Sequence, residues 1–345
     1  MNISTTNDVK SLLWMFIPSA ALSTALELQL FQLLTEKSLS AEDVSQVFGI
    51  PLDRCRCWLE LLAGLDLLEW KEGTYSPSSV THEAILEVYS PETWAFLARE
   101  ARERYSTGND LALHISHPES VWTAQGLKSP YYITQMKEDP ERARSFTRML
   151  YEIHQPLAET VAQALNMSGV ERLMDLGGGS GVMSLALLEH NANLTAVVVD
   201  IPEVCAAGRE IAAKSPVAGR ITYHPTNFIQ DELPTGFDMI LECDVGVYSE
   251  QLFSKLHGVL NDGGRLVIVD WWNKGIVDCL PVRESSIHRL IQRFQSSLQV
   301  PQFTATDPNT AVKKLLGKTG YKNVSEKALD DGPVIITAQK LTSGA

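Results

Sequence analysis

The chain has 345 residues, enough for two domains at about 100 to 200 residues each, and its composition is that of a folded globular protein. A formal net charge of -13 at pH 7 argues against nucleic acid or an anionic membrane as the main partner, which leaves a small molecule. Five scattered cysteines without zinc-type spacing predict reduced thiols in a cytoplasmic protein.

The first predicted element is an N-terminal helical stretch. Residues 11–35 read as helix that is apolar on more than one face, which indicates a subunit interface and hence a homodimer. The most apolar part, residues 12–25, contains Pro18 and is shorter than the roughly 20 residues that a membrane span needs. We therefore expect no transmembrane or targeting segment.

A winged-helix module is predicted next. Ser40 to Asp43 resembles a capping box at the start of a helix that ends at Phe48, and a second helix follows over residues 52–62. Residues 67–76 then form a hairpin. Such modules often bind DNA, but residues 1–100 hold six Lys and Arg against fourteen Asp and Glu, whereas a DNA-reading face is basic. We expect the module to serve dimerisation.

The rest of the chain divides into a helical stretch and an alternating one. Residues 81–165 read as mostly helical, with turns before Pro91, Pro118, Pro130 and Pro140. From residue 166 onward, strands alternate with helices, as a doubly wound α/β sheet requires. Strands are expected at 170–176, 194–200, 220–225, 237–243 and 264–270, with a terminal hairpin at 321–327 and 333–340. The predicted domains are 1–100, a dimerisation domain; 101–165, a helical linker that contributes to the substrate pocket; and 166–345, a catalytic domain.

One glycine-rich turn carries most of the chemical information. Asp175-Leu176-Gly177-Gly178-Gly179-Ser180-Gly181 closes an apolar strand and opens a helix, which is typical of a nucleotide-cofactor turn. A dinucleotide fingerprint counted from Gly177 needs a small residue at position 182, which is Val. A second strand ends in Asp200, whose carboxylate is suited to accept both hydroxyls of a ribose.

The alternate glycine spacing with a leading acid resembles the first motif of class I S-adenosylmethionine (SAM) methyltransferases. Together with the segments 200–204, 237–241 and 261–270, it makes the chain similar to the plant-type O-methyltransferase family, which includes caffeic acid and hydroxyindole O-methyltransferases and many bacterial natural-product enzymes. The resemblance covers nearly the whole chain. It implies SAM as cofactor, a seven-stranded class I SAM-methyltransferase sheet, and a winged-helix-like dimerisation domain.

The resemblance also implies roles for individual residues. The cofactor-binding set is Asp175, Gly177, Gly179, Gly181, Asp200, Asn227, Phe228, Glu242 and Cys243. Asn227 stands where the family has an acid at the adenine region, so it brings a hydrogen bond without a charge. The predicted substrate-binding set is Phe146, Met149, Tyr248 and Trp271.

The departure from the family concerns the general base. The histidine that the family places after the fourth strand falls on Val247, which cannot accept a proton. A positioned base contributes about 10²- to 10⁴-fold to such a reaction. The candidate replacements are His154, His288 and Asp244; Asp244 can act as base, orient a substrate amine, or bind a metal with His288, although two ligands make no recognisable metal site.

The predicted function is SAM-dependent methylation of a small aromatic secondary metabolite, at oxygen or at carbon. Carbon methylation is included because an electron-rich carbon attacks without a strong base. The alternative is a SAM-binding family member that catalyses a non-methylating reaction of pericyclic or hydroxylation type, since the missing histidine fits that as well. Metal is not expected to take part in either.

Overall fold

A computed structural model describes residues 4–109, 132–270, 308–329 and 333–342. Contacts between Cα atoms divide the chain into two compact units, residues 1–117 and 118–345. Each unit has its own hydrophobic core.

The N-terminal unit consists of short helices and one hairpin. Its helices are α1 (Thr6–Leu13), α2 (Phe16–Glu27), α3 (Leu30–Glu36), α4 (Ala41–Phe48), α5 (Leu52–Gly64), the single turn α6 (Ser79–Thr81), which continues as a π-helix (His82–Leu86), and α7 (Pro91–Asn109). Strands β1 (Leu68–Lys71) and β2 (Thr74–Pro77) pair antiparallel. The predicted order of helix, turn, helix and hairpin is confirmed.

Local signals explain where α4 begins and ends. The Ser40 hydroxyl accepts the Asp43 backbone N–H at 3.1 Å, and the Asp43 carboxylate accepts the Ser40 N–H at 3.1 Å, so the predicted capping box is present. Gly49 ends the helix in the left-handed conformation at φ +65°, which favours glycine. The helices close over a core that includes Leu30, Phe31 and Leu59, all fully buried.

An apolar surface lies where α1 meets α2. We name the run of exposed large side chains there the N-terminal ridge: Leu12, Leu13, Trp14, Met15, Phe16 and Ile17. Leu13 is 72% exposed and Trp14 61%. In the described ranges no single helix is long and apolar enough to cross a membrane; α1 and α2 meet that test only as a pair bent by 40°. The predicted helical stretch over residues 11–35 is present, but as parts of three helices, α1, α2 and α3, with breaks at 14–15 and 28–29.

The C-terminal unit is a seven-stranded sheet flanked by helices. The strands are β3 (Arg172–Leu176), β4 (Thr195–Asp200), β5 (Ile221–Pro225), β6 (Phe237–Cys243), β7 (Leu260–Asp270), β8 (Lys322–Ala328) and β9 (Val334–Gln339). The helices are α8 (Tyr132–Glu138), α9 (Pro140–Ala164), α10 (Val182–His190), α11 (Pro202–Ala212), α12 (Glu250–Val259) and α13 (Pro308–Lys318). All seven predicted strands are confirmed within a few residues.

The spatial order of the strands is β5-β4-β3-β6-β7-β9-β8. The first five run parallel, whereas β9 is antiparallel to both β7 and β8, so β9 lies between them. Alternate residues of the central strands face two apolar layers; Leu173 faces one, and Met174 and Leu176 face the other. This burial on both faces is typical of parallel sheets.

The topology places one crevice at the carboxyl edge of the sheet. The chain leaves β3 toward β4 on one side and returns to β6 on the other, which makes β3 and β6 the switch point of the sheet. Ligands of doubly wound folds bind outside the carboxyl ends of the strands at such a point.

Two of the four predicted turns are confirmed, because α7 begins at Pro91 and α9 begins at Pro140. The predicted turns at Pro118 and Pro130 lie outside the described residues.

Candidate functional site

The glycine turn after β3 is shaped by close packing at most of its positions. Gly177, Gly179 and Gly181 all have positive φ, at +66°, +53° and +77°. A Cβ atom on Gly177 would meet a methyl group of Val245 at 2.7 Å, and one on Gly181 would meet the Tyr223 hydroxyl at 2.6 Å. At Gly179 the nearest atom would be 3.9 Å away. A Cβ on Gly178 would meet the Asp175 carboxyl group at 2.4 Å, so among these four glycines only Gly179 leaves room for one.

Asp200 faces this opening from the end of β4. Its Oδ2 accepts the Gly179 backbone N–H at 3.0 Å, and its Oδ1 accepts the Ile201 N–H at 2.7 Å. Burial raises the pKa of Asp200 to about 6, and the two backbone donors partly offset that rise. Each oxygen has a second lone pair, so the carboxylate is fixed in place and still able to accept hydroxyl groups.

Asp175, near the end of β3, is a second buried carboxyl group. Its Oδ2 accepts the Ser184 hydroxyl at 2.8 Å, while its Oδ1 has no hydrogen-bond partner among the described residues. Burial raises its pKa to about 6. The room at Gly179 and the fixed carboxylate of Asp200 fit a cofactor that carries a ribose, as SAM does.

The predicted adenine turn is held by an acid that the sequence interpretation missed. The Asp231 carboxylate accepts the Thr226 hydroxyl at 3.1 Å and the Asn227 N–H at 2.9 Å. The Asn227 carboxamide oxygen accepts the Ile229 N–H at 3.1 Å, which leaves its NH₂ group as the part that can meet a ligand. Phe228 packs half-buried against the core. An acid four residues after Asn227 was a visible signal for this arrangement.

We name the group of carboxyl side chains at the ends of β6 and β7 the acidic edge: Glu242, Asp244 and Asp270. Glu242 is 0% exposed, and among the described residues neither of its carboxyl oxygens has a hydrogen bond of good geometry, although the Val247 N–H lies near. Its pKa is raised well above the ordinary value, first by burial and then by the charge of Asp270, and the backbone N–H of Val247 offsets this only in part. The acid that closes β6 is thus buried without the donors that carboxylates normally have.

Asp244 is the accessible member of the acidic edge. It follows β6 in the left-handed conformation, with φ +54°, and its N–H donates to the Val269 carbonyl at 3.0 Å. The residue as a whole is exposed, but protein atoms surround its carboxyl group. The resulting desolvation, together with the negative charge of Asp270, raises the pKa of Asp244 to about 7. No hydrogen bond or ion pair engages this carboxylate within the described part of the chain.

Asp270, the last residue of β7, completes the acidic edge. The Tyr248 hydroxyl donates a short hydrogen bond to its Oδ2. The Tyr248 ring is buried in the core and lies 6.3 Å from the Phe253 ring, so the hydroxyl rather than the ring faces the sheet edge. The sequence interpretation missed Asp270, although its place at the end of an apolar strand next to β6 was a readable signal.

The remaining candidates lie on neighbouring elements. Val247 is half-buried against the core and offers no proton acceptor. His154, half-buried on α9, has its pKa lowered by burial, partly offset by the Leu150 carbonyl. Phe146 packs against Ile201 and Val204, which follow Asp200 in the sequence.

Three further positions complete the predicted set. Cys243 is half-buried at the end of β6, and burial raises the pKa of its thiol well above the ordinary value, with Asp244 adding to the shift. Met149 is buried on α9. The predictions for Trp271 and His288 lie outside the described residues, and no group of three potential metal ligands occurs within them.

Comparison with known proteins gives two family matches along the chain. Residues 112–284 match the O-methyltransferase domain, and residues 11–84 match the O-methyltransferase dimerisation domain. The two matches follow the same order as the predicted catalytic and dimerisation regions.

Individual relatives and one solved structure agree with these matches. The chain is 29% identical over 235 residues to 3-hydroxy-5-methyl-1-naphthoate 3-O-methyltransferase of Streptomyces sahachiroi, covering 68% of this chain and 66% of that protein. It is 24% identical over 284 residues to L-tyrosine C(3)-methyltransferase of Streptomyces lavendulae, covering 76% and 74%. The structure of human N-acetylserotonin methyltransferase in complex with SAM is similar with a TM-score of 0.78 at 19% identity, over 99% of this chain and 100% of that one.

Proposed function

Because the chain belongs to the O-methyltransferase family and is a SAM-dependent methyltransferase, we propose that it methylates a small aromatic secondary metabolite and that the acidic edge takes the place of the family's histidine. The two relatives described above are named for a naphthoate oxygen and a tyrosine ring carbon, so both act on aromatic rings. Nothing in these matches favours the non-methylating alternative.

The cofactor half of the proposal is carried by the glycine turn and Asp200. The backbone is open at Gly179 and closed at Gly177 and Gly181, so the room for a bound molecule to approach the main chain lies at Gly179. Asp200 is held by two backbone donors and turned toward that room. We assign the ribose hydroxyls to Asp200 and the adenine region to Asn227 and Phe228. We assign the amino acid end to the glycine turn, bordered by Asp175, Glu242 and Cys243.

Bound SAM supplies an electrophilic methyl group on a sulfonium, and the chain has to align an acceptor with it and handle the acceptor's polar group. Alignment contributes much of the rate of such an in-line displacement. We assign this task to Asp244, because the residue is exposed, its carboxylate has no partner among the described residues, and its pKa of about 7 lies close to neutral pH. Its pKa of about 7 suits a group that has to accept a proton near neutrality. His154 and His288 stay as second candidates, and Phe146, Met149, Tyr248 and Trp271 stay as predicted substrate contacts.

The experiment that tests this function has a binding step and a transfer step. Calorimetry with SAM should give a Kd that Asp200→Ala weakens strongly. Incubation of the full-length protein with methyl-labelled SAM and a panel of phenols, naphthoates and aromatic amino acids should then release S-adenosylhomocysteine in step with a methylated product. Tight SAM binding with a rearranged but unmethylated product would instead favour the non-methylating alternative.

We also propose that the N-terminal ridge forms a homodimer interface. Leu13, Trp14 and Phe16 are more than half exposed, and a contiguous apolar surface of this kind marks an interaction site. Leu13→Glu combined with Trp14→Glu should convert the protein to monomer in light scattering after size exclusion. The matched control is Val88→Glu, at an exposed position outside the ridge. A dimer that survives the double substitution would contradict the assignment.

The remaining expectations about context also stay proposals. We propose that the protein acts in the cytoplasm on a dissolved small molecule, and that neither nucleic acid nor a membrane is its partner, because the net charge is -13. The predicted division into 1–100, 101–165 and 166–345 is retained. Limited proteolysis with cleavage near residue 165, in the turn after α9, would support the second boundary, whereas the first falls inside α7.

A further inference from the structure

The glycine turn after β3 is also contacted by α11 and β5. Gly177, Gly178 and Gly179 follow one another in this turn, and glycine has more backbone freedom than any other residue. Such a segment keeps one shape only when neighbouring groups hold it. Asp200 holds the Gly179 N–H at 3.0 Å, as described above. The carbonyl groups of the turn are held by a different set of residues.

Tyr223 contacts the turn from β5, which is separated from β3 by β4. Its hydroxyl donates to the Ser180 carbonyl at 2.8 Å. Burial raises the pKa of this hydroxyl above its ordinary value, so the group stays protonated and remains a donor at neutral pH. Tyr223 is itself held by Arg209 of α11, whose guanidinium donates to the Tyr223 carbonyl at 2.9 Å and lies 5.8 Å from the ring centre. The donor therefore has a fixed position relative to the turn.

Gly208 is the residue of α11 that contacts the turn. A Cβ atom on Gly208 would lie 2.6 Å from the Gly179 carbonyl oxygen and 2.5 Å from Cε1 of Tyr223. Both distances are far inside van der Waals contact, and a backbone oxygen cannot move aside as the end of a flexible side chain can. Gly208 lies inside a helix, where glycine is less stable than alanine. Space, and not backbone conformation, therefore requires glycine at this position.

We propose that Tyr223 and Gly208 are positioning residues for the cofactor site. Together they hold the Gly179 and Ser180 carbonyls, and thereby keep the Gly179 N–H on the Asp200 carboxylate. The inference rests on the assignment of the ribose to Asp200, and it adds two residues outside the predicted cofactor-binding set. A turn that is fixed before binding spares the cofactor the free energy of ordering it. Loss of either contact should therefore weaken cofactor binding.

The first test removes the Tyr223 hydroxyl and keeps its ring. Calorimetric titration of the full-length Tyr223→Phe variant with S-adenosylhomocysteine should give a Kd about fivefold higher than that of the parent, as expected for the loss of one buried hydrogen bond. The matched control is Tyr321→Phe, which removes a buried hydroxyl that donates to the Phe253 carbonyl in the other apolar layer. The control should bind S-adenosylhomocysteine with the Kd of the parent.

A double-substitution cycle distinguishes positioning from a general loss of stability. In Asp200→Ala the Gly179 N–H has lost its acceptor, so the Tyr223 hydroxyl has no carboxylate left to position. Adding Tyr223→Phe to Asp200→Ala should then leave the Kd for S-adenosylhomocysteine unchanged, because the two residues act through one contact. A hydroxyl that acts by another route would raise the Kd by the same factor in both backgrounds.

The second contact is tested by filling the space at Gly208. Gly208→Ala should raise the Kd for S-adenosylhomocysteine about tenfold, because the added methyl group displaces the Gly179 carbonyl and the Tyr223 ring. The matched control is Gly258→Ala on α12, where a Cβ would have no heavy atom within 4 Å. It should bind as the parent does. Tyr223→Phe decides the question alone if Gly208→Ala does not fold.

Three outcomes would overturn the inference. One is a parent-like Kd in Tyr223→Phe, and another is an equal increase in Tyr321→Phe. The third is a Tyr223→Phe effect of the same size with and without Asp200→Ala, which removes the route through Asp200. The single variant Asp200→Ala is measured first. If its Kd is that of the parent, the ribose assignment in the proposed function is wrong; if it binds weakly and Tyr223→Phe binds normally, only the positioning role is wrong.

Discussion

The two halves of the sheet edge treat their carboxyl groups differently. On β3 and β4, Asp200 accepts two backbone N–H groups and Asp175 accepts the Ser184 hydroxyl. Around the ends of β6 and β7, the Asp244 carboxylate accepts no hydrogen bond from the described residues. In the first half, hydrogen bonds fix the carboxyl groups before any ligand binds. Binding therefore does not lose the free energy of ordering them. The second half has charge that a ligand has to balance.

This contrast suggests that one half recognises a constant molecule and the other a variable one. SAM is common to the family, so its half can be built from a local motif and fixed backbone donors. The acceptor differs between relatives, as the naphthoate and tyrosine enzymes indicate, so its half is free to change. Val247, the position at which the family resemblance predicts a histidine, falls in this second half.

The largest expected effect is a loss of activity without a loss of SAM binding, when a residue of the second half is changed. Asp244→Asn should lower kcat about 100-fold, because the variant loses both the charge that orients the acceptor and the group that accepts a proton. The Kd for SAM should stay within about twofold. In the parent protein kcat should rise with pH through about 7, the pKa of Asp244, because only the ionised form is active. A parent-like kcat in the variant, or a profile flat across pH 7, would contradict this role.

The next effect concerns the cofactor half. Asp200→Ala should weaken SAM binding by about 100-fold or more, since two hydrogen bonds to a charged group contribute about 1.5–3 kcal/mol each. Isothermal calorimetry measures this directly. Glu189→Gln, which removes an exposed charge at the end of α10, serves as control and should bind SAM normally. Unchanged affinity in Asp200→Ala would show that the ribose is held elsewhere.

A matched pair of glycine substitutions distinguishes binding from folding within one turn. Gly179→Ala and Gly181→Ala both place a side chain at positive φ, which costs about 1–2 kcal/mol. Only the second adds a clash, with the Tyr223 hydroxyl at 2.6 Å. Gly179→Ala should therefore weaken SAM binding about tenfold at a small cost in Tm, whereas Gly181→Ala should have the lower Tm by a few degrees. The reverse pattern in calorimetry and thermal melting would contradict an opening at Gly179.

The smallest effect is a dependence of stability on pH. Asp175 and Asp200 have pKa values of about 6 in the folded protein, above the ordinary value of 3.8, and the pKa of Glu242 is also raised. The native state then binds more protons than the unfolded state between about pH 4 and 6, so stability falls as pH rises through that window. Without cofactor, the urea midpoint should be lower at pH 7.5 than at pH 5. Glu242→Gln, which cannot ionise, should show a smaller decrease than the parent, and an equal decrease would mean that Glu242 is not the buried acid responsible.

Sequence patterns were informative where the physics is local. The capping box at Ser40, the β-branched strand that ends at Asp200, and the glycine spacing around Gly179 each depend on neighbouring residues, and the structure has the predicted elements there. The hydrogen bond between Tyr248 and Asp270 joins residues 22 positions apart on different elements. The periodicity of a sequence segment does not predict such a contact, because the contact depends on the order of the strands in the sheet.

The same limit applies to individual side chains at the site. A sequence motif gives Tyr248 a place near the substrate, but only the packing against Phe253 shows that the ring is in the core and the hydroxyl is at the edge. Similarly, the exposure of Asp244 and the burial of Glu242 depend on how neighbouring elements pack around the ends of β6 and β7.

The antiparallel strand β9 has a consequence for biosynthesis. It pairs along β7 up to Asp270 and also pairs with β8. Neither β7 nor β8 therefore has this neighbour until β9 has left the ribosome. The glycine turn and Asp200 are translated more than 130 residues before Val334, at the start of β9. Since chains are made at about 5–20 residues per second, the cofactor half can form several seconds before the acceptor half. A nascent chain stalled before β9 would expose the edge of β7, and unpaired strand edges are the sites at which chains aggregate.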